Sequence, residues 1–199
     1  MEILYRTNNT TLEPQENKIS GYAVVYNSLS EPMGYGRYEF REKIAPGAFD
    51  GLLNEDIKCL FNHDSGKVLG RTTNSTLSLR SDDHGLYFEC KIDPEIGWQA
   101  DLLKSIKRGD INQCSFAFSM GKNSKESETT AETENKVETI RTIERVSKLY
   151  EVSVVTFPAY AETEAHARKN EEFVKEYERK AKEKQRRQDI DLTETMLML

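Results

Sequence analysis

Short runs of alternating apolar and polar residues, each closed by turn-forming residues, decide what this 199-residue chain can fold into. "KISGYAVVYNS" carries a glycine followed by an aromatic and β-branched stretch and reads as a central strand. "DIKCLFNHD" is the next long one. A period of two puts Ile57, Cys59, Phe61 and His63 on one of its faces and Lys58, Leu60 and Asn62 on the other, with an Asp-Ser-Gly turn following. "STLSLRSDDHGLYFECKID" predicts a hairpin whose turn leaves His84 in solvent. "INQCSFAFSM" and at least two strands in "VETIRTIERVSKLYEVSVVTFPAY" supply the rest of the core, which Pro158 ends.

Between these runs lie weaker signals. Residues 38–44 read as a short strand, and the Pro-Gly of "APGAFDGLL" as the start of a brief helix through Phe49. "DPEIGWQADLLKSIKRGD" has helix grammar: Asp93 as N-cap, Pro94 at the first helical position, Gly109 as the stop, and Ile96, Leu102, Leu103 and Ile106 as the buried stripe. Residues 121–136 hold nothing apolar larger than alanine and are expected to form a mobile loop. The expected organisation is one domain over residues 1–165 and a highly charged helical tail over 166–199, where Glu/Lys pairs at helical spacing support a solvated helix.

Several function classes fall away. A net charge of −6 gives no basic footprint for nucleic acid. No window approaches the roughly 18 apolar residues of a membrane span, and the N-terminal stretch lacks the basic-then-apolar order of a secretion signal. Cys59, Cys90 and Cys114 are odd in number and widely spaced, against both a disulfide framework and a thiolate zinc site. A reducing interior is expected, with no metal and no cofactor.

Two strands carry groups suited to chemistry. In "CSFAF", Cys114, Phe116 and Phe118 share one side, while Ser115, Ala117 and Ser119 present small side chains on the other, a floor on which an extended peptide could lie. In "LYEVSVVTF", Glu151 shares a face with Ser153, Val155 and Phe157. A carboxylate in so apolar a run requires a buried partner. His63 is a candidate for that partner. Ser115, His63 and Glu151 together would supply a nucleophile, its general base and the group that orients the base. On the residues alone, an ordinary strand serine and a structural histidine–carboxylate bond account for the same pattern. The absence of a G-x-S-x-G elbow argues against an α/β-hydrolase.

"KIAPGAFDGLL", "LFNHDSGKVLGR", "GLYFECKID", "GDINQCSFAF" and "LYEVSVVTFPAY", in this order and spacing, resemble the prohead (capsid maturation) proteases of tailed double-stranded DNA bacteriophages over roughly residues 19–161. The resemblance implies an α+β fold like that of the herpesvirus proteases: a mainly antiparallel β-barrel with a few surrounding helices, here extended by the charged C-terminal helix. It implies a serine endopeptidase with Ser115 as nucleophile and His63 as base. The herpesvirus enzymes have a second histidine where this chain offers Glu151, with Asp64 as competitor for the third role. Cys114 is a rival nucleophile that alternation places among phenylalanines, and Arg168 is the nearby analogue of an oxyanion-stabilising arginine. Substrates implied are scaffold, or the scaffolding segment of the capsid protein, and the enzyme itself, inside the assembling procapsid in the host cytoplasm. A homodimer or higher oligomer is expected by analogy. The alternative is a non-catalytic scaffold or capsid-assembly protein that retains the fold.

Overall fold

The computed structural model describes residues 3–8, 12–157, 175, 179 and 186. Its strands are, in chain order, β1 (Ile3–Asn8), β2 (Glu13–Pro14), β3 (Lys18–Val25), β4 (Met33–Tyr35), β5 (Tyr38–Ile44), β6 (Lys58–Phe61), β7 (Asp64–Arg71), β8 (Leu77–Ser81), β9 (Gly85–Lys91), β10 (Gln113–Ser119), β11 (Lys125–Glu132), β12 (Val137–Arg145) and β13 (Lys148–Val155). Helix α1 (Gly97–Arg108) joins β9 to β10. The described residues are thus mostly strand with one α-helix described along its whole length, an α+β chain, and none of their helices is long and apolar enough to cross a membrane.

The sheets are ordered β1-β10-β13-β6-β7, β2-β3-β9-β8 and β11-β12-β5-β4. The closed barrel expected from the sequence is replaced among the described residues by these three open sheets. The five-stranded sheet ends at β1 and β7, which do not pair with each other, and the core is closed by packing β10 on β3 and β7 on β9. In the five-stranded sheet β13 pairs with β6 in parallel, and its other pairings are antiparallel.

Two compact units divide the described residues. The larger takes in 3–8, 12–30, 42–129 and 140–157, and the smaller is built from Glu31–Arg41 and Thr130–Thr139. In the smaller, β4 pairs with the start of β5, and Gly34 is irreplaceable because a Cβ there would lie 2.2 Å from the Tyr38 carbonyl oxygen. The larger unit holds the hydrophobic core. Phe116 sits at its centre, edge-on to Phe49 with ring centroids 5.9 Å apart and stacked on Phe118 at 5.4 Å. Alternation along β10 is therefore as expected, with Cys114, Phe116 and Phe118 turned inward.

Three local expectations need correction. The brief helix through Phe49 is a chain of tight turns, with Ala48, Asp50 and Leu52 each donating to the residue three back. Gly47 and Gly51 both have φ of +81°, which stops helical propagation. Helix α1 starts at Gly97, not after Asp93, so Ile96 is outside its buried stripe and Gln99 takes that place, accepting from the Asp93 N–H and donating to the Val68 carbonyl. Its stop is as expected, with Gly109 at φ +85°. Residues 125–132, inside the stretch expected to be a loop, form β11. Its residues are all exposed, and what holds it is polar pairing with β12, such as Ser127 Oγ donating to Glu144 at 2.8 Å. Apart from Lys175, Arg179 and Arg186, which are helical, the expected tail helix lies outside the described residues.

Candidate active site

Strands β6 and β7 form a hairpin in which Phe61 faces Asp64, leaving Asn62 and His63 as the two turn residues. Both are left-handed, with φ of +52° and +60°, as a two-residue turn matched to strand twist demands. The strand therefore ends two residues earlier than the sequence suggests, and Asp64, Ser65 and Gly66 belong to β7. Period two cannot be extended through such a turn, so His63 does not join Cys59 in the core. Three hydrogen bonds tie the turn to the end of β13 and the residue after it. The Asn62 N–H donates to the Val154 carbonyl at 2.9 Å, its Oδ1 accepts from the Thr156 N–H at 2.8 Å, and its Nδ2 donates to Thr156 Oγ1 at 3.1 Å.

On the sheet face opposite the core, register fixes the neighbours. Ser115 on β10 lies opposite Ser153 on β13, and Ala117 opposite Glu151. On the other side of β10, Tyr5 of β1 is level with Ala117. His63 bonds Glu151 through Nδ1 and meets the Tyr5 ring edge-on, centroids 4.6 Å apart. Tyr5 and Glu151 flank β10 from either side, so the imidazole that meets both lies over that strand. Ser115 and Ala117 are successive residues of β10 on that face.

The buried Glu151 carboxylate, 6% exposed, has both oxygens occupied: Oε1 by His63 Nδ1 and Oε2 by the hydroxyl of Ser153. This answers the cost of placing a charge among valines. A ring nitrogen facing a carboxylate carries a proton, so Nδ1–H donates to Glu151 Oε1. Nε2 is buried and has no hydrogen-bond partner among the described residues. Ser115, fully buried, donates its hydroxyl proton to the Arg6 carbonyl at 2.9 Å and not to His63.

Strand β1 is anchored from its inner side. The Arg6 guanidinium bonds Glu42, whose other oxygen accepts from Arg141 Nη1 at 2.8 Å. Burial alone would push the Glu42 carboxyl up, but the two guanidiniums outweigh it and hold it below the usual carboxylate range.

The structure brings His63 to Glu151 and sets Ser115 beside them on the same face. The competitors lie elsewhere. Asp64 is exposed and accepts from the Gly66 N–H at 2.7 Å, and Cys114 is fully buried in the core. Arg168 lies outside the described residues. Sequence reading missed Tyr5, the Arg6 carbonyl, the Asn62 clamp and the role of Ser153. The asparagine before the histidine was the available sign of a left-handed turn. Among the described residues no cluster of His, Cys, Asp and Glu is arranged to hold a metal.

The model of the caudovirus prohead serine protease family matches residues 4–178. A prohead protease of Enterobacteria phage HK97 is 27% identical over 153 residues, a match covering 75% of this chain and 59% of the relative. The chain thus spans less than two thirds of that curated relative. No solved structure matches the chain. The chain belongs to the caudovirus prohead serine protease family.

Proposed function

We propose, with membership of the prohead serine protease family as premise, that the chain is a serine endopeptidase of capsid maturation. It would cleave scaffold, or the scaffolding segment of the capsid protein, and finally itself, inside the assembling procapsid. The observation that carries this reading is the His63 ring, held at Nδ1 by a buried carboxylate and with no partner for Nε2 among the described residues, on the face that also carries Ser115. In this mechanism the Ser115 hydroxyl leaves the Arg6 carbonyl by rotation about χ1 and gives its proton to His63 Nε2 as its oxygen attacks the substrate carbonyl carbon. The imidazolium is stabilised by Glu151 and then protonates the leaving amine. A positioned base of this kind contributes about a hundred- to ten-thousandfold. Glu151 is preferred to Asp64 as the third member because it bonds the ring, while Asp64 bonds its own turn.

In the same proposal residues 1–165 are the protease domain and 166–199 a charged helical tail that contacts scaffold. Enclosure in a shell raises the effective concentration of enzyme and substrate, so a slow protease can complete many cuts there. The test is co-expression with the capsid and scaffold proteins from the same phage, comparing the wild type with Ser115→Ala by intact mass. Shortened products that disappear in Ser115→Ala support the protease. Identical, uncut products in both favour the non-catalytic assembly protein.

A further inference from the structure

We propose that Ser153 is a positioning residue that fixes the Glu151 carboxylate for His63, so that the working unit is Ser115, His63, Glu151 and Ser153. This rests on the reading of the first three as the reacting set. Ser153 lies on β13, an interior strand, at 1% exposure between Val152 and Val154. A valine would bury more apolar surface at such a position. The serine hydroxyl is instead spent on Glu151 Oε2, while Oε1 meets His63 Nδ1. Ser153 and Glu151 are two residues apart on one strand and so on one face, which makes the contact a property of the strand itself.

The physical need is clear from the torsions. The terminal torsion of a glutamate is broad and roughly two-fold, so a carboxylate held at one oxygen alone can pivot. A second donor on the other oxygen fixes the carboxylate plane and hence the direction in which Oε1 faces the imidazole. Removing that donor also leaves a buried carboxylate oxygen unsatisfied, which weakens the negative end of the Glu151–His63 pair.

The test uses the full chain with Ser153→Ala and Ser153→Thr. The first readout is the proton resonance of His63 Nδ1–H, which reports the bond to Glu151 whether or not the protein cleaves anything. The second is the rate at which a fluorophosphonate labels Ser115. We expect Ser153→Ala to move or broaden the resonance and slow labelling about ten- to hundredfold, the worth of one hydrogen bond to a charged group. Ser153→Thr, which keeps the hydroxyl, should restore both. An unchanged resonance and rate in Ser153→Ala overturns the proposal, as does a label found on Ser153. If Ser115 never reacts in the wild type, the protease reading fails, and a resonance that still moves in Ser153→Ala keeps the positioning of Glu151 standing.

Discussion

Replacing Asn62 separately by alanine and by glycine divides two jobs that this residue performs. Its side chain joins Thr156 through two hydrogen bonds of 2.8 and 3.1 Å, and its backbone adopts φ +52°. Both residues are exposed, so the two bonds together are worth about 1 kcal/mol, at the low end for such contacts. A left-handed backbone costs alanine about 1–2 kcal/mol and glycine nothing. Asn62→Ala should therefore lose about 2–3 kcal/mol and Asn62→Gly about 1 kcal/mol, read from urea unfolding. The clamp, however, is missing from both variants. If it holds the His63 turn against β13, both should slow fluorophosphonate labelling of Ser115 to a similar degree although their stabilities differ by about 1–2 kcal/mol. Equal stabilities would mean that the left-handed turn is not kept. Unchanged labelling in both would refute the idea that Asn62 positions His63.

Glu42→Ala should destabilise the chain by about 3 kcal/mol, since it leaves the Arg6 and Arg141 guanidiniums without their shared carboxylate. Its carboxyl is depressed in the folded state, so its contribution is complete above about pH 4.3, the ordinary glutamate value, and is lost as pH falls through the folded value; Glu42→Gln should flatten that part of an acid-unfolding curve. Iodoacetamide should leave the native protein unmodified, because Cys59, Cys90 and Cys114 are fully buried and the neighbouring Cys90, together with burial, pushes the Cys59 thiol well up. Cys114→Ala should keep Ser115 reactive at a cost of about 1 kcal/mol, and loss of labelling in a folded Cys114→Ala would revive the cysteine reading. Gly85→Ala would place a Cβ 1.9 Å from the Val24 carbonyl oxygen, and a drop of about 3 kcal/mol is expected by thermal or urea unfolding.

What could be read from the sequence was whatever strand alternation controls. The inward set of Cys114, Phe116 and Phe118 followed from period two, as did the placing of Glu151 and Ser153 on one face, but Ser115, Ala117 and Ser119, expected as an open floor, are buried as well. A carboxylate in a valine-rich strand announced a buried partner, and His63 is that partner. The failures share a cause: alternation says nothing once the backbone leaves the extended region. Period two puts His63 on the core face because the left-handed turn at Asn62 and His63 is invisible to it. Gly47 and Gly51 likewise broke the expected helix. Strand β1 gave too short an apolar signal, although its Tyr5 covers His63 and its Arg6 carbonyl holds Ser115. Strand β11 exists through polar cross-strand pairing, which hydrophobic pattern cannot report.

The central claim is that Ser115 is a nucleophile activated by His63. It is tested most directly by treating the folded full chain with a fluorophosphonate and locating the adduct by peptide mass spectrometry. The account predicts one adduct, on Ser115, formed about a hundredfold or more slowly in His63→Ala. No adduct, an adduct on another serine, or a Ser115 adduct formed equally fast in His63→Ala would contradict it.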